Sequence, residues 1–216
     1  MLKIYGADLS TPANKVRFVA NCIGLKYEYI RVNLKEKENR KPEFLKLNST
    51  GKVPVIDDDG FVLFESGAII KYLADKNQSA LYPKDLKQRA IVDQWMDFVS
   101  LHINAAMIRV VFNRLFAPLM KMEVDERSLK DGLNFLNQFL PVVNEQLSRH
   151  TYLTGSALTL ADFNLLTSLD PAEASSIDLS SYPKLTKWRE ELKKNDFYTK
   201  CHKEYGENLK AMAGQK

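Results

Sequence analysis

The segment FLKLNSTGKVPVIDDDGFVLFESGAIIKYLA, residues 44–74, decides the fold of the first part of the chain. Residues 53–56 and 61–64 are short β-prone runs, and the Asp59-Gly60 pair between them favours the tight turn of a hairpin. The apolar residues that follow recur at helical spacing, at Ile69, Tyr72 and Leu73. The segment therefore predicts a β-hairpin followed directly by a helix.

Upstream of this segment, the pattern predicts a strand, a helix and a second strand. Residues 2–5 are β-prone and end at Gly6, whereas Pro12 opens a stretch with one apolar helical face. Residues 27–34 alternate in the manner of a half-buried strand. With the hairpin and a helix over 66–76, the order of elements is that of a thioredoxin-like α/β domain.

Almost everything after residue 87 has the apolar spacing of helices, and this change predicts a domain boundary. We expect a thioredoxin-like N-terminal domain over 1–78, a linker over 79–86 and an all-α C-terminal domain over 87–216. Pro141 lies inside one helical pattern and must kink that helix or split it.

A second local signal concerns a helix start in the all-α part. Thr159 and Asp162 have the spacing of a capping box, with Leu158 and Phe163 placed around it as a hydrophobic staple. This pattern predicts that a helix begins near Leu160.

The composition is that of an ordinary globular protein. The 216 residues are 45% hydrophobic and 27% charged, and the net charge of +4 comes from basic and acidic residues that alternate, as in KEKE at 35–38. Such alternation indicates a solvated surface, so we expect no nucleic-acid partner. No apolar run approaches the roughly 18–20 residues of a membrane span, and we expect no membrane partner and a cytoplasmic location. Cys22 and Cys201 are too few for a disulfide framework or a zinc site, so we expect no metal.

The loop from Gly6 to Pro12 is the first candidate for chemistry, because a predicted strand ends there and a helix begins. Ser10 and Thr11 put hydroxyl groups at a helix N-terminus, where main-chain N–H groups and the helix dipole favour an anion such as a thiolate. The alternative is that Ser10 or Thr11 simply caps the helix.

Two further candidates flank the predicted hairpin. A cis Val53–Pro54 bond would offer the main chain of Val53 to an extended peptide, whereas a trans bond would merely begin an edge strand. Glu65 could receive an ammonium group and Ser66 a carboxylate, the two groups that an α-amino acid carries, although Ser66 could equally be a plain cap.

We expect the histidines and one apolar stripe to have structural roles. His102, His150 and His202 are not paired with acidic residues or cysteines at ligand or triad spacing, and we interpret them as surface or packing residues. The apolar stripe formed by Ile108, Phe112, Leu115 and Leu119 is interpreted as core, with the alternative that some members line an apolar site.

Three motifs in order, LKIYGADLSTPANKVRFV, FLKLNSTGKVPVIDDDGFVLFESGAIIKYLA and YLTGSALTLADFNLL, resemble the cytosolic glutathione transferases. The resemblance covers the chain nearly end to end. It is specifically to the phi class and its neighbours, which use a serine. It implies a transferase that conjugates the thiolate of glutathione to small hydrophobic electrophiles, with reduction of organic peroxides as a further activity and detoxification as the role. Glutathione would be the co-substrate, no other cofactor would be needed, and the protein would be a homodimer.

The resemblance also implies residue roles. Ser10 would hold the thiolate with Thr11 beside it, and Tyr5 is an alternative because related classes use a tyrosine near the end of the first strand. The remaining residues implied to bind glutathione are Asn39, Arg40, Lys52, Val53, Pro54, Glu65 and Ser66. Asn39 and Arg40 depart from the His-Lys pair usual in phi enzymes.

Two rival functions share the fold. One is a non-catalytic interaction or regulatory module, which intact Ser10, Val53–Pro54 and Glu65-Ser66 speak against. The other is a specialised glutathione-dependent dehalogenase or isomerase, which would use the same thiol site with a different electrophile.

Overall fold

The computed structural model describes residues 1–206, which form two compact units. The first contains Met1–Tyr82 together with Asn195–Lys203, and the second contains Pro83–Lys194 and the short segment Glu204–Gly206. The segment Asn195–Lys203 thus packs with the first unit, although its position in the sequence lies inside the predicted 87–216 domain. Residues 207–216 of that predicted domain lie outside the described residues.

The first unit is built on a four-stranded sheet in the order β2-β1-β3-β4. The strands and helices of this unit, in chain order, are β1 (Leu2–Gly6), α1 (Thr11–Cys22), β2 (Glu28–Arg31), α2 (Pro42–Leu47), β3 (Val55–Asp58), β4 (Phe61–Phe64), α3 (Ser66–Lys76) and, near the C-terminus, α10 (Asp196–Thr199). β1 is parallel to β2 and antiparallel to β3, and β3 is antiparallel to β4. The predicted thioredoxin-like architecture is confirmed.

The predicted hairpin and the helix after it are present, but the first strand of the hairpin begins two residues later than the predicted 53–56. Asp59 and Gly60 have φ values of 52° and 93°, the left-handed conformations that a two-residue hairpin turn requires of both its central residues. The helix α3 spans Ser66–Lys76, and its inward face carries Ile69, Ile70 and Leu73 into the core.

The second unit is helical throughout its regular structure. Its helices are α4 (Leu86–Phe98), α5 (Ala105–Val111), α6 (Ala117–Leu119), α7 (Glu126–Arg149), α8 (Leu160–Leu169) and α9 (Pro183–Lys193). Two π-helical stretches, Val99–Asn104 and Phe112–Phe116, join the first three into one continuous helix. The helix α7 continues through Pro141, so the proline does not split it.

The continuous helix Leu86–Leu119 contains an 18-residue window with a mean hydropathy of 1.2, which passes the length and composition test for a membrane span. This is weak evidence for a membrane, because core helices of soluble proteins pass the same test. Several of its apolar residues lie in the core of the second unit, among them Val99, Ile103 and Val110.

The core interpretation of the stripe on this helix was wrong. Ile108 and Leu119 are exposed by 58% and 50% of their side-chain surface, and Phe112 is also exposed. The π-helical stretch Phe112–Phe116 adds residues to a turn and so rotates Leu119, which follows it, away from the register that 3.6-residue spacing predicts.

The capping box predicted at Thr159 and Asp162 is present at the start of α8. Asp162 is fully buried and accepts four hydrogen bonds, from Leu153 N–H, Thr159 N–H, Thr159 Oγ1 and Trp188 Nε1. Burial raises the pKa of Asp162 to about 6, and the four donors act in the opposite direction. One carboxylate therefore holds together the start of α8, the turn before it and α9.

The substitution Asp162→Asn should lower the free energy of unfolding by about 2–4 kcal/mol. The NH2 group of the new amide would face N–H and O–H donors that now bond to the buried carboxylate. Urea denaturation followed by circular dichroism measures this loss. Asp178→Asn is the matched control, since Asp178 is exposed and its hydrogen bonds among residues 1–206 are with Ser180, two residues later. Equal losses in the two variants would contradict the central role of Asp162.

Candidate active site

The strand register brings three candidate segments to one end of the sheet. Tyr5 lies opposite Val55 across the antiparallel pair β1 and β3, and Val55 lies opposite Phe64 across β3 and β4. The chain therefore leaves β1, enters β3 and leaves β4 at the same end. The segments at this end are the loop before Ser10, the Val53–Pro54 bond and the Glu65-Ser66 pair.

Ser10 is the N-cap residue of α1, and Thr11 is the first residue of the helix. The Ser10 Oγ accepts a hydrogen bond from Ala13 N–H at 3.3 Å, and Ser10 N–H donates to Ala7 O at 2.9 Å. A hydroxyl that accepts one hydrogen bond still has its own hydrogen to donate. The cap and the thiolate-binding interpretations of Ser10 are therefore compatible.

Buried polar side chains fix the loop before Ser10. Asn14 Nδ2 donates to Asp8 O at 2.9 Å, and Arg17 Nη1 donates to Asn14 Oδ1 at 3.1 Å. The Arg17 guanidinium group lies over the Tyr29 ring, 4.2 Å from its centre. Since Asn14 and Arg17 belong to α1 and Tyr29 to β2, the position of the loop is set by two elements of the fold.

Glu65 ends the β4 segment with an unusual backbone conformation, φ 70° and ψ 108°. It occupies the N-cap position of α3 without a capping side-chain bond, and Ser66 is the first residue of that helix. The interpretation of Ser66 as an N-cap was therefore wrong. Its Oγ instead accepts a hydrogen bond from Lys15 Nζ at 3.3 Å.

Lys15 is the residue that the sequence analysis missed. It belongs to α1 and is only 8% exposed. Burial lowers its pKa to about 8, while the charge of Glu65 acts in the opposite direction. The available signal was that Phe18 and Val19, three and four residues later on the same face of the helix, are both apolar.

The Val53–Pro54 peptide bond is cis, as the resemblance implies. Val53 lies two residues before the start of β3 and packs against a small apolar cluster formed by Val32, Phe44 and Val55. The neighbouring Lys52 is exposed, and its carbonyl oxygen accepts a hydrogen bond from Asn48 Nδ2 at 2.8 Å.

Asn39 and Arg40 lie against the turn that leads to Lys52. Asn39 Nδ2 donates to Gly51 O at 2.6 Å, and Arg40 Nη1 donates to Thr50 O at 3.2 Å. Gly51 has φ 65°, and a Cβ atom built there would come within 2.9 Å of the main-chain oxygen of Asn39. Only glycine therefore allows this approach, which brings the predicted Asn39 and Arg40 next to the Lys52-Val53 segment.

Tyr5 is engaged in packing. Its ring meets the Phe44 ring edge to face, with centroids 6.4 Å apart, and it belongs to the residues packed on the same apolar cluster as Val53. Successive residues of a strand point to opposite faces of a sheet. Tyr5 therefore lies on the face opposite Ile4 and Gly6.

The histidines lie among aromatic rings where the structure describes their contacts. His102 packs against Phe98 and Phe139, and His202 packs against Phe18 and Tyr198. Within residues 1–206, no three His, Cys, Asp or Glu side chains gather in a way that could hold a metal ion.

Two family models match the chain, one in each of its two units. The family model for the glutathione S-transferase N-terminal domain matches residues 1–75, and that for the C-terminal domain matches residues 103–196. Glutathione S-transferase F10 of Arabidopsis thaliana is 36% identical over 142 residues, which span 64% of this chain and 66% of that protein. Glutathione S-transferase 1 of Zea mays is 31% identical over 87% of this chain and 89% of its own length.

Solved structures agree with these relatives. Maize glutathione S-transferase I in complex with an atrazine glutathione conjugate has a TM-score of 0.85 and 30% identity, and covers 93% of this chain and 95% of its own. Identity at this level over most of both chains shows that the protein belongs to the glutathione S-transferase family and supports its resemblance to the phi class.

Proposed function

We propose that the protein joins the thiol of glutathione to small apolar electrophiles, with Ser10 stabilising the thiolate. The observation that carries the proposal is the Ser10 hydroxyl at the N-terminus of α1, at the sheet end where the Glu65-Ser66 pair also lies. Glutathione would lie along this end in an extended form. Its main chain would pair beside Val53, Asn39 and Arg40 would lie near its glycine carboxylate, and Glu65 with Ser66 would bind its γ-glutamyl end.

The energy that Ser10 has to supply is modest. A free thiol has a pKa of about 8.5, and lowering it by two units requires about 2.7 kcal/mol of preferential binding to the thiolate. A hydrogen bond to a charged group contributes about 1.5–3 kcal/mol, and a helix N-terminus adds about 0.3–1 kcal/mol. One hydroxyl at this helix end is therefore sufficient.

The chemical step needs no further group from the protein. The thiol proton passes to solvent, and the thiolate sulfur forms a bond to the electrophilic carbon while the leaving group departs with its electron pair. The same thiolate would attack the outer oxygen of an organic peroxide and release an alcohol, and a second glutathione would convert the resulting sulfenic acid to glutathione disulfide and water. Cytoplasmic detoxification is the role that this chemistry would serve.

Calorimetry with glutathione at two pH values, together with turnover of chlorodinitrobenzene on the same sample, tests the function. Binding with release of a proton and turnover are the expected results. Binding without turnover would favour the specialised dehalogenase or isomerase, and absence of binding would favour the interaction module.

The substitution Ser10→Ala should lower chlorodinitrobenzene turnover by about 10- to 150-fold, because the thiolate loses a charge-assisted hydrogen bond. The loss of the cap should lower the free energy of unfolding by only about 1 kcal/mol. Steady-state kinetics and the ultraviolet absorbance of the bound thiolate measure the two consequences.

Thr11→Ala and Tyr5→Phe are the matched controls for Ser10→Ala, since each removes one competing hydroxyl. Both should retain turnover and the pKa of the bound thiol. A large loss in either control, with full activity in Ser10→Ala, would transfer the role to that residue.

We also propose that the protein is a homodimer. β4 is an edge strand of the sheet and exposes Phe61 by 48% and Phe64 by 39%. The second unit separately exposes Leu101 by 69% and Phe135 by 41%. Exposed aromatic residues on a sheet edge are typical of surfaces that another chain covers.

Sedimentation velocity should give the wild-type protein a mass of twice the 24.7 kDa chain. The substitution Phe61→Glu should shift it toward the monomer, because a charge would be buried in the interface without a partner. Leu34→Glu is the control, since Leu34 is 43% exposed beyond β2 at the other edge of the sheet. A monomeric wild-type protein would exclude the dimer.

A further inference from the structure

Lys15 carries an ammonium group that the fold leaves largely unused. Within residues 1–206 its one hydrogen-bond partner is Ser66 Oγ, at 3.3 Å, although an ammonium group has three hydrogens to donate. The residue is only 8% exposed, and the charge of Glu65 offsets the cost of burying the ammonium only in part, since the pKa of Lys15 remains lowered. Structural stability alone therefore does not account for a lysine at this position.

Lys15 nevertheless keeps most of its charge at neutral pH. Burial lowers its pKa to about 8, and the negative charge of Glu65 opposes that shift. A group with this pKa is about nine-tenths protonated at pH 7. The site thus combines the buried Lys15 ammonium group with the exposed Glu65 carboxylate at the start of α3. The Ser66 hydroxyl accepts a hydrogen bond from the ammonium group.

These opposite charges match one end of the bound peptide. The γ-glutamyl residue of glutathione carries an α-ammonium and an α-carboxylate on the same carbon. Glu65 attracts the ammonium but repels the carboxylate, and Ser66 alone offers the carboxylate only neutral donors. A cation beside Ser66 removes this conflict, because two charge-assisted interactions then form together.

We propose that Lys15 binds the α-carboxylate of the γ-glutamyl group, together with Ser66, and that it makes the protein selective for thiol peptides with that carboxylate. This inference rests on the proposed function. The ammonium of Lys15 keeps its hydrogen bond to Ser66 Oγ and donates another hydrogen to the ligand. Its role is in binding, so it should change KM for glutathione and leave kcat nearly unchanged.

Calorimetry with three S-methylated peptides tests the proposal without the thiol. The first is S-methylglutathione, the second carries 4-aminobutanoyl in place of γ-glutamyl and so lacks the carboxylate, and the third carries glutaryl and so lacks the ammonium. Lys15→Met should bind S-methylglutathione and the glutaryl peptide about 10- to 100-fold more weakly than the wild type does. It should bind the 4-aminobutanoyl peptide at least as tightly as the wild type does.

Thermal unfolding separates this role from a structural one. Methionine fills similar volume without a charge, so Lys15→Met should melt no lower than the wild type. If that variant does not fold, Lys15→Gln serves the same comparison. Lys26→Met is the control for loss of a positive charge, since Lys26 is exposed just beyond α1, and it should bind all three peptides as the wild type does.

The possible outcomes distinguish the two proposals. Equal weakening for the peptides with and without the carboxylate, or weakening of less than threefold for S-methylglutathione, would overturn the role of Lys15 alone. A wild-type protein that binds none of the three peptides at millimolar concentration would overturn the proposed function as well.

Discussion

The first helix of the chain is buried along most of its length, and this constraint governs the candidate site. Every residue from Ala13 to Ala20 is buried, including Asn14, Lys15 and Arg17. Buried polar groups need partners, because an unpaired one loses its hydrogen bonds to water without compensation. The partners of these three side chains are therefore what connects α1 to its surroundings.

The partners of Asn14 and Lys15 lie in segments that form the candidate site. Asn14 holds the main chain of Asp8, two residues before Ser10, and Lys15 reaches Ser66 at the start of α3. The N-terminus of α1 and the N-terminus of α3 are thus joined by side chains of one helix. A change in the packing of α1 would shift the loop before Ser10 and the start of α3 together, which couples the stability of this helix to the geometry of the candidate site.

Local features could be predicted from the sequence, because their causes lie within a few residues. The hairpin follows from the left-handed conformations that Asp59 and Gly60 tolerate, and the start of α8 follows from the capping box of Thr159 and Asp162. The family motifs placed the candidate residues near Ser10, Val53 and Glu65 by resemblance. The strand register then explains why these distant segments meet.

The features that were missed have causes far along the chain. A lysine in a helix is ordinarily solvated, and Lys15 is buried because α1 packs against α3 and α10. Helical spacing identified the stripe with Ile108 and Phe112, but it does not tell whether another element covers that face. The π-helical stretches in the same helix also change the spacing on which the prediction rests.

Two energetically unfavourable features of the first unit lie close together, at Glu65 and at Lys15. Glu65 is not a glycine, yet it has a positive φ of 70°, a conformation that costs on the order of 1–3 kcal/mol. Lys15, whose pKa responds to the charge of Glu65, loses the hydration of an ammonium group. Glycine at position 65 would relieve the backbone strain, and methionine at position 15 would remove the buried charge, without disturbing the apolar core. The proposed γ-glutamyl ligand carries both opposite charges, so its binding would compensate an acid and a base at these two positions.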